Sequence, residues 1–145
     1  MRLALAMTTP EVGVAPPVAL LQGSFDERLA KAAKLGYDGV ELMVARPSEI
    51  DVPRLSSRLS DLGLEVAAIA SGAVYMVDGL TLLAEDESQS RRARERLIAL
   101  IDLAGRLGSS LVTIGGFRGR LAWVGAGDGR QRLVDILSEA AGEAG

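Results

Sequence analysis

The stretch that decides the fold is Ala32-Ala33-Lys34-Leu35-Gly36-Tyr37-Asp38-Gly39-Val40-Glu41-Leu42. A helical segment ends at Gly36 and an apolar run begins at Gly39, which is typical of a helix, a glycine cap and a buried strand in succession. Leu62-Gly63 and Leu107-Gly108 lead into similar apolar runs. A helix-to-strand unit therefore recurs along the chain.

Apolar residues before each glycine share one helical face, which predicts amphipathic helices that cover a sheet. They are Phe25, Leu29, Ala32 and Ala33, then Val52, Leu55, Leu59 and Leu62, then Leu97, Ile101 and Ala104. Ser24 with Glu27 predicts the start of the first helix, and Asp128 with Gln131 predicts the start of the last. With the apolar residues up to Met7 as a first strand, the order is β-α repeated four times.

Short apolar strands that alternate with helices favour an α/β fold with a parallel sheet. An open doubly wound sheet and part of a (β/α)8 barrel both fit. A closed barrel needs about 250 residues, so four units supply half of one. The third unit is the longest, which predicts an insertion at Gly72 to Glu87, on the face where loops after parallel strands bind ligands.

The amino-acid composition argues against several classes of function. With 145 residues and 48% hydrophobic positions, the chain predicts a single domain, 1–145. The net charge of −3 and the scattered basic residues argue against nucleic acid as a partner. The sequence holds no cysteine or histidine, so it predicts no disulfide and no thiolate or imidazole chemistry, and it suits a cytoplasmic location. No apolar stretch is long enough to span a membrane.

Residues at the carboxyl ends of the predicted strands are the candidates for a site. They are Thr8, Glu41, Ser71, Arg118 and Arg120, of which Glu41 lies within its strand. A carboxylate within a strand is costly unless it is paired, so Glu41 predicts either a polar group in a substrate pocket or an ion pair with an arginine. Arg118 lies in a glycine-rich turn suited to a phosphate, a carboxylate or hydroxyls. Tyr75 and Trp123 offer apolar surface on loops. The run Arg91 to Arg96 predicts a solvated helix face.

The segment Ala32 to Leu42 resembles the xylose-isomerase-like sugar isomerases and epimerases. Two further segments, Ala68 to Leu82 and Thr113 to Arg120, resemble the group of keto-sugar and keto-gluconate 3-epimerases. The resemblance implies half of a TIM barrel and a small sugar or sugar phosphate as substrate. It also implies substrate-binding roles for Glu41, Ser71, Tyr75 and Arg118. The chain has Ala70-Ser71-Gly72-Ala73 where the family pattern has Gly-Thr-Gly-Gln.

Complete members of this family hold a divalent metal, Mn or Mg, through two Glu, an Asp and a His of the fifth to eighth strands. They move a proton beside a ketose carbonyl. The resemblance implies that Gly145 precedes the fifth strand, so we expect a truncated domain without catalytic or metal-binding residues of its own, and an inactive isolated chain. Two alternatives stay open: a non-catalytic half-barrel that forms a homodimer through its open sheet edges, and a metal enzyme similar to AP endonucleases.

Overall fold

The structure, a computed structural model, describes residues 1–13, 21–120 and 126–143. Within these ranges the strands are β1 (Ala4–Thr8), β2 (Gly39–Met43), β3 (Glu65–Ala70) and β4 (Val112–Thr113). The helices are α1 (Phe25–Lys34), α2 (Val52–Leu62), α3 (Gly72–Asp78), α4 (Glu87–Arg106) and α5 (Ala126–Glu143). Strands and helices alternate, except that α3 and α4 both follow β3. No helix of the described ranges is long and apolar enough to cross a membrane.

The strands form one parallel sheet in the order β1-β2-β3-β4. Ala4 is paired with Gly39, Gly39 with Glu65, and Ile69 with Val112. Doubly wound sheets reverse their strand order at a switch point, and this sequential order shows no reversal. The sheet therefore has the strand order of a (β/α)8 barrel, and the doubly wound alternative was wrong.

One face of the sheet packs against the helices and forms the main core. Leu5, Met7, Val40, Leu42 and Ile69 alternate along the strands and are buried in one apolar cluster. The helices supply the other side of that cluster through the apolar faces expected from the sequence, including Leu29, Leu55, Leu59, Leu97 and Ala104. Since side chains alternate across a strand, the intervening residues point to the opposite face.

The recurring glycines take the conformation that the repeat predicts. Gly36, Gly63 and Gly108 have φ angles of 83°, 65° and 73°, which favour glycine at a helix end. Gly39 is restricted for a different reason, because a Cβ there would lie 2.5 Å from the carbonyl oxygen of Glu65 in the neighbouring strand. The close approach lies beside a register shift between β2 and β3 at Val40 and Glu41.

The expected insertion is confirmed between β3 and α4, where it contains the short helix α3. Two boundaries differ from the sequence-based expectation. The fourth strand has only two residues, Val112 and Thr113. The last helix begins at Ala126, so Asp128 lies inside it and does not cap it. Gln131 instead donates to Asp135 over 2.8 Å, one helical turn further on.

Candidate functional site

Glu41 lies in β2 on the face of the sheet that turns away from the helices. Its neighbours Val40 and Leu42 are fully buried in the core, whereas Glu41 is half-buried. The Oγ1 of Thr113 lies 3.4 Å from Oε1 of Glu41 and donates to it. Among the described residues Glu41 takes part in no ion pair with Lys or Arg, so the arginine pairing considered from the sequence is not seen there.

Ser71 follows β3 and is completely buried. Its Oγ donates to the backbone carbonyl of Thr113 over 2.7 Å, and its backbone amide donates to the same carbonyl over 3.1 Å. Because the hydroxyl proton is used and the side chain has no exposed surface, Ser71 holds β3 and β4 together at the carboxyl edge. Thr113 thus joins Ser71 to Glu41. The sequence analysis did not single out Thr113 as a site residue, although Thr113 begins one of the segments that resemble the 3-epimerases.

Tyr75 and Arg118 are brought to the same part of the carboxyl edge. Tyr75 lies on α3 with 44% of its surface exposed, and a Cβ at Gly116 would lie only 3.8 Å from its ring. Gly116 and Arg118 belong to the short 3-10 turn after β4. The Arg118 side chain is exposed, with its Nε 3.5 Å from the carbonyl oxygen of Gly119. The Tyr75 ring therefore lies beside the turn that carries Arg118.

The insertion is fastened to this turn by backbone hydrogen bonds. The amides of Leu82 and Leu83 donate to the carbonyls of Phe117 and Arg118 over 3.0 and 3.2 Å. Phe117 is fully buried and anchors the turn in the core. The surface around Tyr75 continues into an open depression of about 520 Å³, also lined by Gly79, Thr81, Ala84, Glu85, Asp86 and Gln89.

An ion-pair network holds the other end of α3. Asp78 accepts from Arg46 over 2.7 Å and from Arg96 over 2.9 Å, with 16% of its side chain exposed. Arg96 also donates to the backbone carbonyl of Ala45. The loop after β2, the end of α3 and helix α4 are thereby joined through one carboxylate.

This network determines the ionisation of Asp78. Burial alone raises the pKa of that carboxyl, but the hydrogen bonds and charges of Arg46 and Arg96 outweigh burial and lower the pKa below its ordinary value. Arg96 was expected on a solvated helix face, and that expectation was wrong. Its side chain is only 23% exposed because its partner, Asp78, comes from the insertion.

A second polar cluster supports the loop after β1. The guanidinium of Arg28 donates to Oγ1 and to the carbonyl of Thr8 over 3.2 and 3.0 Å, and its partial burial lowers its pKa. Thr9 is buried, with its Oγ1 2.8 Å from Oε1 of Glu11. Glu11 also accepts from the amide of Ala45 over 3.1 Å. Thr8, a candidate site residue from the sequence, is thus buried and accepts hydrogen bonds from Arg28.

A cleft of about 230 Å³ lies beside this cluster, between the starts of α1 and α2. Its lining includes Glu11, Phe25, Asp26, Arg54 and Arg58. Arg54 and Arg58 both pair with Asp26, at 3.3 and 3.8 Å. None of the residues proposed from the sequence as substrate contacts lines this cleft.

The described residues do not fit the divalent metal that the resemblance implies. No group of three or more Asp or Glu side chains in residues 1–13, 21–120 and 126–143 is placed to hold an ion. Asp78, at the end of α3, is already neutralised by two arginines. We therefore derive no chemical step through a metal from these residues.

Two further residues singled out from the sequence remain. Trp123 lies outside the described residues, and Arg120 is exposed at the end of the turn.

Comparison with solved structures places this site within a known fold. The chain is similar to 3-keto-D-glucoside 4-epimerase YcjR from E. coli, with 11% identity and a TM-score of 0.63 over 99% of this chain and 53% of that one. An L-ribulose 3-epimerase gives 24% identity and a TM-score of 0.64 over 98% and 46%. D-allulose 3-epimerase from Methylomonas sp. gives 22% and 0.57 over 96% and 49%. The chain spans about half the length of these proteins.

Proteins with different activities share this fold. An AP endonuclease of family 2 from Brucella melitensis gives 16% identity and a TM-score of 0.57 over 99% of this chain and 49% of that chain. At identities this low the similarity shows the fold alone. No curated protein sequence matches the chain. The family model described as xylose isomerase-like TIM barrel matches residues 29–145, which is most of the sequence. The chain therefore belongs to the xylose isomerase-like TIM barrel family.

Proposed function

We propose that this chain forms the substrate-side wall of a sugar isomerase or epimerase. The observation that carries the proposal is Glu41, a half-buried carboxylate on the uncovered face of the sheet that accepts from the Thr113 hydroxyl. A carboxylate within a strand is costly unless polar groups satisfy it, and here one oxygen is bound over a long 3.4 Å. Its remaining acceptor capacity suits the hydroxyl groups of a polyol.

The carboxyl edge supplies the other contacts that a sugar needs. The exposed ring of Tyr75 can cover the apolar C–H face of a sugar, and the Arg118 guanidinium can donate to its hydroxyls or to a phosphate. Both lie at the end of parallel strands, where barrels of this architecture bind their ligands. The open depression beside Tyr75 is lined by residues of the insertion and not by Glu41 or Arg118, so of the three proposed contacts it adjoins Tyr75 alone.

The chemistry proposed for a complete barrel that contains this chain is proton transfer beside a ketose carbonyl. That step needs an acid or base within hydrogen-bond reach of the carbon-bound proton, and we assign no such role to the described residues. We expect the isolated chain to bind a ketose weakly and to leave it unchanged in the presence of Mn²⁺. Three similar solved structures are named as epimerases, which supports the substrate class only through the shared fold.

A nucleic-acid substrate is less well supported, although an AP endonuclease shares the fold. Within residues 1–13, 21–120 and 126–143, eight arginines pair with carboxylates, which reduces the positive charge available to a phosphate backbone. They are Arg2, Arg46, Arg54, Arg58, Arg94, Arg96, Arg106 and Arg132. Cleavage of abasic DNA by the chain would favour this alternative.

Saturation-transfer NMR with D-fructose tests the proposal on the chain itself. We expect transfer to the ring protons at millimolar sugar, and we expect Tyr75→Ala to abolish it. Met76→Ala is the matched control, because Met76 is the next residue of α3 and is 45% exposed, close to the 44% of Tyr75. Absence of transfer, or equal loss in both variants, would contradict a sugar site at Tyr75. Turnover of D-fructose by the chain with Mn²⁺ would contradict the role of a wall without catalysis.

A further inference from the structure

The depression beside Tyr75 contains a hydroxyl group that the fold does not use. Thr81 lines this depression and is only 3% exposed, yet in the described part of the chain its Oγ1 takes part in no hydrogen bond. Its backbone is engaged, since its carbonyl accepts from the amide of Ala84 over 3.3 Å. A buried polar group without a partner is costly. The Thr81 hydroxyl therefore indicates a contact that a ligand completes.

Gly119 keeps the Thr81 hydroxyl uncovered. A Cβ at Gly119 would lie 3.2 Å from the Cβ and 3.3 Å from the Oγ1 of Thr81, so a larger residue would crowd the hydroxyl. The φ angle of Gly119 is 84°, which also favours glycine. The amide of Leu82, the next residue after Thr81, donates to the carbonyl of Phe117 over 3.0 Å. The position of the hydroxyl at the wall of the depression is therefore fixed.

The same depression carries negative charge. Its described lining includes the carboxylates of Glu85 and Asp86 and no lysine or arginine. Among the described residues neither carboxylate forms an ion pair, whereas the neighbouring Glu87 pairs with Arg94 at 2.9 Å and with Arg132 at 2.8 Å. The arginines on this side of the insertion are thus taken by Glu87, and the two lining carboxylates keep their charge.

Asp86 is held in its ionised form. Its Oδ1 caps α4 by accepting from the amides of Ser88 and Gln89 over 2.7 and 3.3 Å. The Ser88 side chain and these amides lower the pKa of the Asp86 carboxyl below its ordinary value. The depression therefore attracts a cationic group and repels an anionic one such as a phosphate.

A sugar placed on Tyr75 would direct one of its substituents into this depression. The Tyr75 ring is 44% exposed, borders the depression and suits the apolar C–H face of a sugar. An ammonium group has three hydrogen-bond donors, which suit the carboxylates of Glu85 and Asp86 and the oxygen of Thr81. We propose that the depression is a subsite for the ammonium group of an amino sugar. This inference rests on the proposed sugar site, because Tyr75 belongs to both.

NMR titrations of the chain with 1-amino-1-deoxy-D-fructose and with D-fructose test the subsite, because the two ketoses differ only in the amino group. We expect the amino sugar to bind about threefold more tightly, since exposed carboxylates contribute modestly through water, and to shift the amides of Thr81 and Glu85. Glu85→Gln should remove most of this difference. Glu95→Gln is the matched control and should keep it, because Glu95 is an exposed residue of α4 outside the depression.

Thr81→Val tests the hydroxyl separately, because valine keeps the shape of the side chain. Since the hydroxyl has no partner within the described fold, the variant should keep or raise the free energy of unfolding in urea. It should also weaken the binding of the amino sugar about threefold, the usual effect of one hydrogen bond. A less stable variant would show that the hydroxyl serves the fold, and would overturn its assignment to a ligand.

The outcomes separate this inference from the proposed function. Equal affinities of the wild-type chain for the two ketoses, or equal effects of Glu85→Gln and Glu95→Gln, would overturn the subsite and leave the proposed sugar site intact. Binding of neither ketose would contradict both. N-acetyl-L-lysine amide supplies an ammonium group without a sugar, and we expect it to bind more weakly than the amino sugar. Equally tight binding of this compound would overturn the assignment to a sugar.

Discussion

Thr113 connects Glu41 to the carboxyl edge of the sheet. Its hydroxyl donates to Glu41 over 3.4 Å, and its carbonyl accepts from the buried Ser71 hydroxyl over 2.7 Å. The position of the Glu41 carboxylate therefore depends on a residue two strands away. We infer that Thr113 acts as a positioning residue for the proposed sugar contact.

Thr113→Val should weaken the binding of D-fructose, because it removes the hydroxyl that orients Glu41. The expected loss is about twofold, because a contact of 3.4 Å is longer than an ordinary hydroxyl hydrogen bond and holds Glu41 weakly. Thr113→Ser keeps the hydroxyl and should restore most of the affinity. Titration followed by NMR measures both. Equal affinities for the valine and serine variants would show that the hydroxyl has no role in binding.

Asp78→Asn should destabilise the fold, because it leaves Arg46 and Arg96 without their shared carboxylate. Removing one partner of a buried ion pair costs about 3 kcal/mol, and the exposure of Arg46 reduces this to about 2 kcal/mol. Urea unfolding measures the change in free energy. Asp102→Asn is the matched control, since Asp102 and Arg106 form an exposed pair at 3.5 Å and should give no measurable change. Similar effects of both substitutions would contradict a structural role for the network.

The same carboxylate predicts a dependence of stability on pH. The pKa of Asp78 is lowered in the folded state from its ordinary value of 3.8. The contribution of the Asp78 carboxylate to the free energy of unfolding is therefore complete above that value. It is lost as the pH falls through the lowered pKa of the folded state. The free energy of unfolding should decrease below about pH 4, and it should decrease less steeply in Asp78→Asn. Parallel curves for the two proteins would show that other carboxyls cause the acid loss.

Two glycines should respond in opposite directions to alanine. Gly39→Ala places a Cβ 2.5 Å from the Glu65 carbonyl oxygen, so β3 must shift, and we expect a loss of about 2 kcal/mol. Gly105 lies in α4 with nothing within 4 Å of an added Cβ. Gly105→Ala should stabilise the chain by about 0.5 kcal/mol. Thermal unfolding of both variants checks the signs. A neutral Gly39→Ala would mean that β2 and β3 lie further apart than described.

Much of the fold could be predicted because the determinants are local. The Leu-Gly pattern fixes each helix end and the strand that follows, and unequal spacing of the glycines locates the insertion. Sequence alone left two sheet architectures open, because strand order depends on contacts between distant segments. The short β4 was also missed, since apolar residues such as Ile114 continue the pattern after the ladder has ended.

The candidate site was only partly predictable for the same reason. Arg96 appears in a run of charged residues, and nothing near it in sequence reveals Asp78, which the fold brings to 2.9 Å. Ser71 was identified by its position after a strand, yet its burial depends on β4. Thr113 was not singled out because its partners lie 42 and 72 residues away.

The most direct test of a sugar site at the carboxyl edge is ¹H–¹⁵N NMR of the chain titrated with D-fructose. Our account predicts shifts of the amides of Glu41, Tyr75, Gly116 and Arg118, with those around the cleft between α1 and α2, such as Phe25 and Arg54, unchanged. Shifts confined to the amides of that cleft, or no shifts at millimolar sugar, would contradict the account.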